Sequence, residues 1–149
     1  MSMPMATGVR RRPGPIATLA GACAAVVVTV ALRLLPFSSV TVATRRLSLR
    51  ARRTASSSEA LRMLQAVDSG ARLVPFRVAC LERSLSVVLL LALRRANVTW
   101  CMGVRTPPLA SHAWIASPNG EPIGEPVTTA TYRPLLVISS VTATNRSNT

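Results

Sequence analysis

The sequence contains no lysine, so its eighteen basic residues are all arginine, and with five acidic residues they give a net charge of +13. No acidic residue precedes Glu59, whereas nine arginines lie before residue 54. A basic segment without acidic partners favours a negatively charged partner: a nucleic acid, an anionic membrane surface or an acidic peptide. Charge alone does not choose among the three.

Aromatic residues are also scarce, with two phenylalanines, two tryptophans and one tyrosine in the whole chain. So few aromatic rings give poor support for base stacking on a single-stranded nucleic acid. The sequence has no glycine-rich phosphate loop either. We therefore predict no nucleic-acid partner and no cofactor.

There are only three cysteines, Cys23, Cys80 and Cys101, and one histidine, His112. An odd number of scattered cysteines is not a disulfide framework and favours a reduced, cytoplasmic chain, although one bridge plus a free thiol satisfies the arithmetic. The spacing lacks the close Cys-x-x-Cys pair of a zinc site, so we predict no metal. Acid-base chemistry near neutral pH must then depend on His112 or on a perturbed carboxylate.

The length allows one domain of ordinary size. Within it, a basic head is followed by an uncharged, alanine- and valine-rich run at residues 14–32. Two interpretations remain open: a helix packed on the domain or lying at a membrane surface, and a spanning or cleaved segment. The localisation we expect is cytoplasmic, with membrane association as an addition.

Two helices are predicted in the middle of the chain. Ser56 and Glu59 form a capping-box pattern that opens a helix running to about Val67. A more apolar helix follows over residues 79–96. Three short strands come next, at residues 98–105, 112–116 and 134–139.

Helices followed by an antiparallel sheet predict an α+β fold. We divide the chain into a basic and apolar N-terminal arm and helix at 1–55, a catalytic domain at 56–141 and a flexible tail at 142–149.

Cys80 lies where the apolar helix begins. Unpaired backbone N–H groups and the positive end of the helix dipole stabilise a thiolate there, and Arg77 and Arg83 add positive charge nearby. These features predict a nucleophile. The alternative is a small buried side chain that does no chemistry.

His112 and Glu125 are candidate partners through a predicted hairpin. If Asn119 and Gly120 form a two-residue turn, Trp114 lies opposite Glu125, and His112 is its diagonal neighbour on the same face. A carboxylate there would orient the imidazole, as in a catalytic triad. A bulged turn would shift the register by one residue. The alternatives are a half-buried structural histidine and a solvated loop carboxylate.

Several segments together resemble a known family, the leader peptidase (B protein) of lasso peptide biosynthesis, which is similar to transglutaminases and papain-like peptidases. The segments are ACLERSL (79–85), VTWCMGVRTPP (98–108), SHAWI (111–115), PIGEPV (122–127) and YRPLL (132–136), with a looser likeness in RLLPF (33–37). The resemblance covers roughly residues 61–137.

The resemblance implies a papain/transglutaminase-like core in which a nucleophile helix packs on a small antiparallel sheet behind N-terminal helices. It implies that Cys80 attacks the scissile carbonyl, that His112 transfers the proton, and that Arg83 and Trp114 support them. Many members carry an aspartate in a Val-Asn-Asp context where this chain has Ile123-Gly124-Glu125. Glu125, one methylene longer, would take the aspartate's role.

The resemblance further implies a ribosomally made precursor peptide as substrate, a separate leader-recognition protein and an ATP-using lasso cyclase as partners. Two other functions remain open on the sequence. One is a transglutaminase-like acyl transferase that uses the same residues, and the other is a non-catalytic basic protein that binds membrane or nucleic acid.

Overall fold

The computed structural model describes residues 11–139, so the predicted tail at 142–149 lies outside the described residues. The helices are α1 (Pro15–Leu34), α2 (Phe37–Arg50), α3 (Ser57–Gly70) and α4 (Cys80–Leu93). The strands are β1 (Arg53–Thr54), β2 (Ala96–Asn97), β3 (Thr99–Arg105), β4 (Ala110–Ala116) and β5 (Arg133–Ile138), and one 3₁₀ turn spans Val127–Thr131. The predicted α+β fold is confirmed.

Helix α3 begins as its sequence predicts, because Ser56 Oγ accepts a hydrogen bond from the Glu59 backbone N–H at 3.2 Å. The Glu59 carboxylate is paired with both terminal nitrogens of Arg53, at 2.7 and 2.8 Å. That pairing lowers the pKa of Glu59 and ties the short β1 strand to the helix. Residues 37–50, which sequence patterning described only as basic, form α2.

The main sheet has β3 in the centre and β4 and β5 antiparallel on either side. Side chains on β4 alternate between its faces. Ala113 and Ile115 belong to the large buried cluster that the helices share, whereas Trp114 packs in a smaller cluster with Cys101. His112 has the parity of Trp114 and lies opposite Gly103 of β3.

The predicted two-residue turn after β4 is wrong. Ser117 N donates to Glu121 O, Ile123 N donates to Ile115 O, and Ala116 pairs with Pro122. These bonds enclose a three-residue loop that ends on Gly120 at φ +86°, so the register is shifted by one residue. A left-handed residue completing a three-residue loop is a common hairpin solution, and glycine adopts it without strain.

Helix α1 docks on α3 and α4 through a face of small residues. At Gly21 and at Gly70 of α3, an added Cβ would collide with backbone atoms of the facing helix, so the two helices touch backbone to backbone. Ala24 and Val28 join the same buried cluster as Val67 and Leu91. Helix α1 is therefore part of the core, and the division at residue 55 stays a prediction.

Helix α1 is also long and apolar enough to cross a membrane, with a mean hydropathy of 2.2 over its most apolar window. Only 28% of that window is buried. The helix thus combines a docked face with a broad exposed apolar face.

Candidate active site

Cys80 is the first residue of α4, as its sequence context predicts. Ala79 precedes it in an extended conformation, and the backbone N–H groups of a first helical turn have no partner within the helix. The thiol is free and half-buried, at the edge of the main core. A group placed at this position has access both to solvent and to unpaired amide donors.

Arg83 follows Cys80 by three residues, a spacing that puts both side chains on the same side of the helix. Its Nε and Nη2 donate to the two carboxylate oxygens of Asp68 on α3, at 2.6 and 2.9 Å. Its Nη1 donates to Glu125 Oε1 at 2.9 Å. The hydrogen bonds to Asp68, and the negative charges of Asp68 and Glu125, raise the pKa of Arg83. One planar guanidinium thus holds two carboxylates from different segments.

Glu125 is a buried carboxylate, with only 4% of its side chain exposed. Oε1 accepts from Arg83, and Oε2 accepts from Thr129 Oγ1 at 3.3 Å. Oε2 also lies 2.8 Å from Nε2 of His112. Since a carboxylate can only accept, the imidazole donates in this bond. Glu125 is therefore not a solvated loop residue.

Glu125 is placed by a turn in the chain and not by regular strand pairing. The pairing with β4 ends with the hydrogen bond from Ile123 N to Ile115 O, and the Ile123 side chain lies in the main core. Gly124 has φ +65°, and a Cβ there would collide with Leu64 of α3. The left-handed conformation and this close approach both favour glycine at the position directly before Glu125.

The imidazole of His112 contacts two aromatic rings that also contact each other, with 6.3 Å between the centroids of Trp114 and Tyr132. It stacks on Trp114 with centroids 5.8 Å apart and planes 17° apart, and it lies 5.3 Å from the Tyr132 ring. With Nε2 committed to Glu125, Nδ1 is the nitrogen left for proton exchange with another group. The side chain is 20% exposed, so it is neither a core residue nor a freely solvated one.

Four of the five predicted site residues, all except Cys80, are connected to one another by hydrogen bonds or by ring stacking. Hydrogen bonds connect Arg83, Glu125 and His112, and ring stacking adds Trp114. Cys80 adjoins this network through its helical spacing from Arg83, on a helix that packs against β4. Within residues 11–139, no hydrogen bond joins the thiol to the imidazole.

Comparison with known families identifies the superfamily of the chain that carries this site. The model of the transglutaminase-like superfamily matches residues 22–137, a range that contains Cys80, His112 and Glu125. The chain belongs to the transglutaminase-like superfamily. This superfamily includes cysteine peptidases and acyl transferases, and its members are generally enzymes. No curated protein and no solved structure matches the chain.

The match to the transglutaminase-like superfamily begins inside α1 and includes all of α2. The N-terminal helices therefore belong to the matched region together with the residues of the site.

Sequence reasoning missed three residues of this transglutaminase-like site: Asp68, Thr129 and Tyr132. The composition of the sequence offers one way to predict the role of Asp68. With five acidic residues against eighteen arginines, an acid on a helix that packs against an arginine-bearing helix is expected to form an ion pair. No such signal marks Thr129, because its position depends on how the chain returns from the hairpin to β5. Tyr132 opens the YRPLL segment of the family resemblance, but its contact with His112 could not be predicted from it.

Cys101, the other thiol near the site, is buried, whereas Cys80 is partly exposed. Cys101 is 5% exposed and packs with Trp114 and Ala116, and burial raises the pKa of its thiol to about 11. Among the described residues, no group of three or more histidine, cysteine and acidic side chains is arranged to hold a metal ion. Of the two thiols near the site, Cys80 is the one available for nucleophilic chemistry.

Proposed function

We propose that this chain is a cysteine peptidase that removes the leader peptide from a ribosomally made lasso peptide precursor. The observation that supports it best is the part-buried His112–Glu125 hydrogen bond, on elements that pack against the helix whose first residue is Cys80. A thiol at a helix N-terminus, an imidazole and an orienting carboxylate are the parts that nucleophilic acyl chemistry requires.

In the proposed reaction, His112 Nδ1 removes the proton of the Cys80 thiol while Nε2–H continues to donate to Glu125. The thiolate attacks the scissile carbonyl, and a tetrahedral intermediate forms whose oxyanion the Cys80 backbone N–H stabilises. His112 then protonates the leaving amine and the C–N bond breaks. A thioester to Cys80 remains.

Water completes the cycle. His112 accepts a proton from the attacking water, a second tetrahedral intermediate forms and collapses, and the C–S bond breaks. The peptide carboxylate is released, and the proton returns to the thiol. Glu125 stabilises the imidazolium at each stage, and Arg83 keeps the carboxylate in place.

The choice of substrate is supported by the likeness of the segments around Cys80, His112 and Glu125 to the lasso leader peptidases. Helices α1 and α2 dock on the core. We further propose a separate leader-recognition protein as a partner, as in those members of the lasso family whose leader-binding domain is a chain of its own. A lasso cyclase would act on the new amino terminus.

The test is to incubate the precursor peptide and recognition protein with either wild-type chain or Cys80→Ala. Cleavage by the wild type and none by the variant is expected. The exposed Cys23→Ala is the matched control and keeps full activity. Undiminished cleavage by Cys80→Ala would rule out the proposed function.

An acyl transferase is the second candidate, because the superfamily includes this activity. It would use the same thioester, with an amine in place of water as the acceptor. Mass spectrometry of the products separates the two functions: a free carboxylate indicates the peptidase, whereas a new amide to an added amine indicates the transferase.

A further inference from the structure

The outward face of α1 is an apolar stripe that nothing in the described structure covers. Its large side chains are between 40% and 83% exposed. They recur at helical spacing along one side: Ile16, Leu19, Val26, Val27, Val30 and Leu34. A helix of 20 residues is about 30 Å long, so the stripe is an extended surface and not a local patch.

The opposite face of α1 cannot leave the domain without breaking its tightest contacts. Gly21 and Gly70 bring the backbones of α1 and α3 together, and Ala24, Ala25 and Val28 are buried. A helix that crossed a bilayer would lose this packing. In the docked helix, the stripe faces away from the domain and runs along the protein surface.

Exposed arginines accompany the stripe, one on α1 itself and three on the next helix, α2. Arg33 is exposed at the end of α1, and Arg45, Arg46 and Arg50 are exposed on α2, where Val42 and Leu49 add apolar side chains. No ion pair with an acidic residue holds these four arginines in the described structure. The first acidic residue of the chain, Glu59, is already paired with Arg53.

We infer that α1 and α2 together form a binding surface for an anionic phospholipid bilayer, with α1 lying in the plane of the interface. Apolar side chains on one face enter the boundary between headgroups and acyl chains, and flanking arginines attract anionic headgroups. The absence of acidic residues before Glu59 selects an anionic partner, and the length of the apolar stripe selects a bilayer over a soluble anion. The inference does not rest on the proposed peptidase activity.

Cosedimentation with vesicles tests it on the full chain. We expect binding to phosphatidylcholine vesicles containing phosphatidylserine at least tenfold tighter than to phosphatidylcholine alone, weakening as salt is raised. The double variant Ile16→Glu/Leu19→Glu should lose this binding. Because both side chains are exposed, at 83% and 59%, circular dichroism should show an unchanged fold.

The matched control is Leu109→Glu/Leu135→Glu, which adds the same charge at positions 78% and 66% exposed outside α1 and α2. It should bind the anionic vesicles nearly as well as the wild type. Equal binding to both lipid compositions, or an equal loss in the two double variants, would overturn the inference. So would a dimer of this chain, detected by gel filtration without lipid and abolished only by Ile16→Glu/Leu19→Glu.

Discussion

The Nε2 atom of His112 lies 2.8 Å from Oε2 of Glu125. The hairpin between them nevertheless lacks the two-residue turn that would make them diagonal neighbours on one face. Three contacts outside the hairpin place the carboxylate: Arg83 from α4, Thr129 from the 3₁₀ turn, and the close approach of Gly124 to α3. The candidate triad is therefore built by packing between α3, α4 and the loop.

Replacing Glu125 by glutamine should lower kcat by about 100-fold or more, a typical contribution of a positioned acid-base group. Glutamine has one carbonyl oxygen in place of two carboxylate oxygens, so it cannot accept from Arg83 and His112 on separate atoms. KM should change little, and steady-state cleavage of the precursor measures both. Glu121→Gln, an exposed acid in the same hairpin, is the control and should behave as wild type.

Arg83→Lys should lower kcat by about tenfold with little change in KM, since a lysine is a point charge that cannot hold Asp68 and Glu125 together. Asp68→Asn should act in the same direction but more weakly, because it leaves the Arg83–Glu125 bond in place. Arg77→Lys, at an exposed position three residues before Cys80, is the control.

A purely structural role for Arg83 makes a different prediction. It would lower the midpoint of urea unfolding without moving the pH profile of kcat, whereas a positioning role moves the profile. Loss of stability with an unchanged profile and unchanged kcat would contradict a positioning role for Arg83.

In a Cys23→Ser background, iodoacetamide at pH 8 should alkylate Cys80 and leave Cys101 unmodified in the folded protein. The thiolate is the reactive form, and burial raises the pKa of Cys101 to about 11, so its thiolate fraction becomes appreciable only as the pH approaches that value. Mass spectrometry of proteolytic fragments measures the labelling of each thiol. Both should react in denaturant, and equal rates at pH 8 in the folded protein would refute the distinction.

Gly21→Ala should lower the free energy of unfolding by about 1–3 kcal/mol, the range for overpacking a close contact. The added Cβ would collide with the Ala66 backbone and push α1 away from α3. Gly14→Ser is the control, because a Cβ there meets nothing within 4 Å and serine is at least as good an N-cap as glycine. Urea unfolding monitored by tryptophan fluorescence measures both, and equal midpoints would show that α1 and α3 are not packed in this way.

Local sequence predicted the elements that carry the site. The Ser56 cap, the start of α4 at Cys80 and the three strands of the main sheet follow from capping residues and from the periodicity of apolar side chains. These signals act over a few residues, so they can be read without knowing the fold. Local patterning did not predict α2, because the residues buried on its face toward the domain are Thr44 and Ser48; only the family resemblance implied N-terminal helices.

The sequence by itself therefore determined where a thiol at a helix start, an imidazole and a basic, apolar N-terminal segment occur. Only the tertiary structure decided which carboxylates lie at the site and which face of α1 packs on the domain. Asp68, Arg83 and Glu125 lie far apart along the chain and meet through ion pairs between packed elements. The docking of α1 depends on Gly21 fitting against the Ala66 backbone and on Gly70 fitting against the Ala22 backbone, a complementarity that the hydropathy of either segment does not encode.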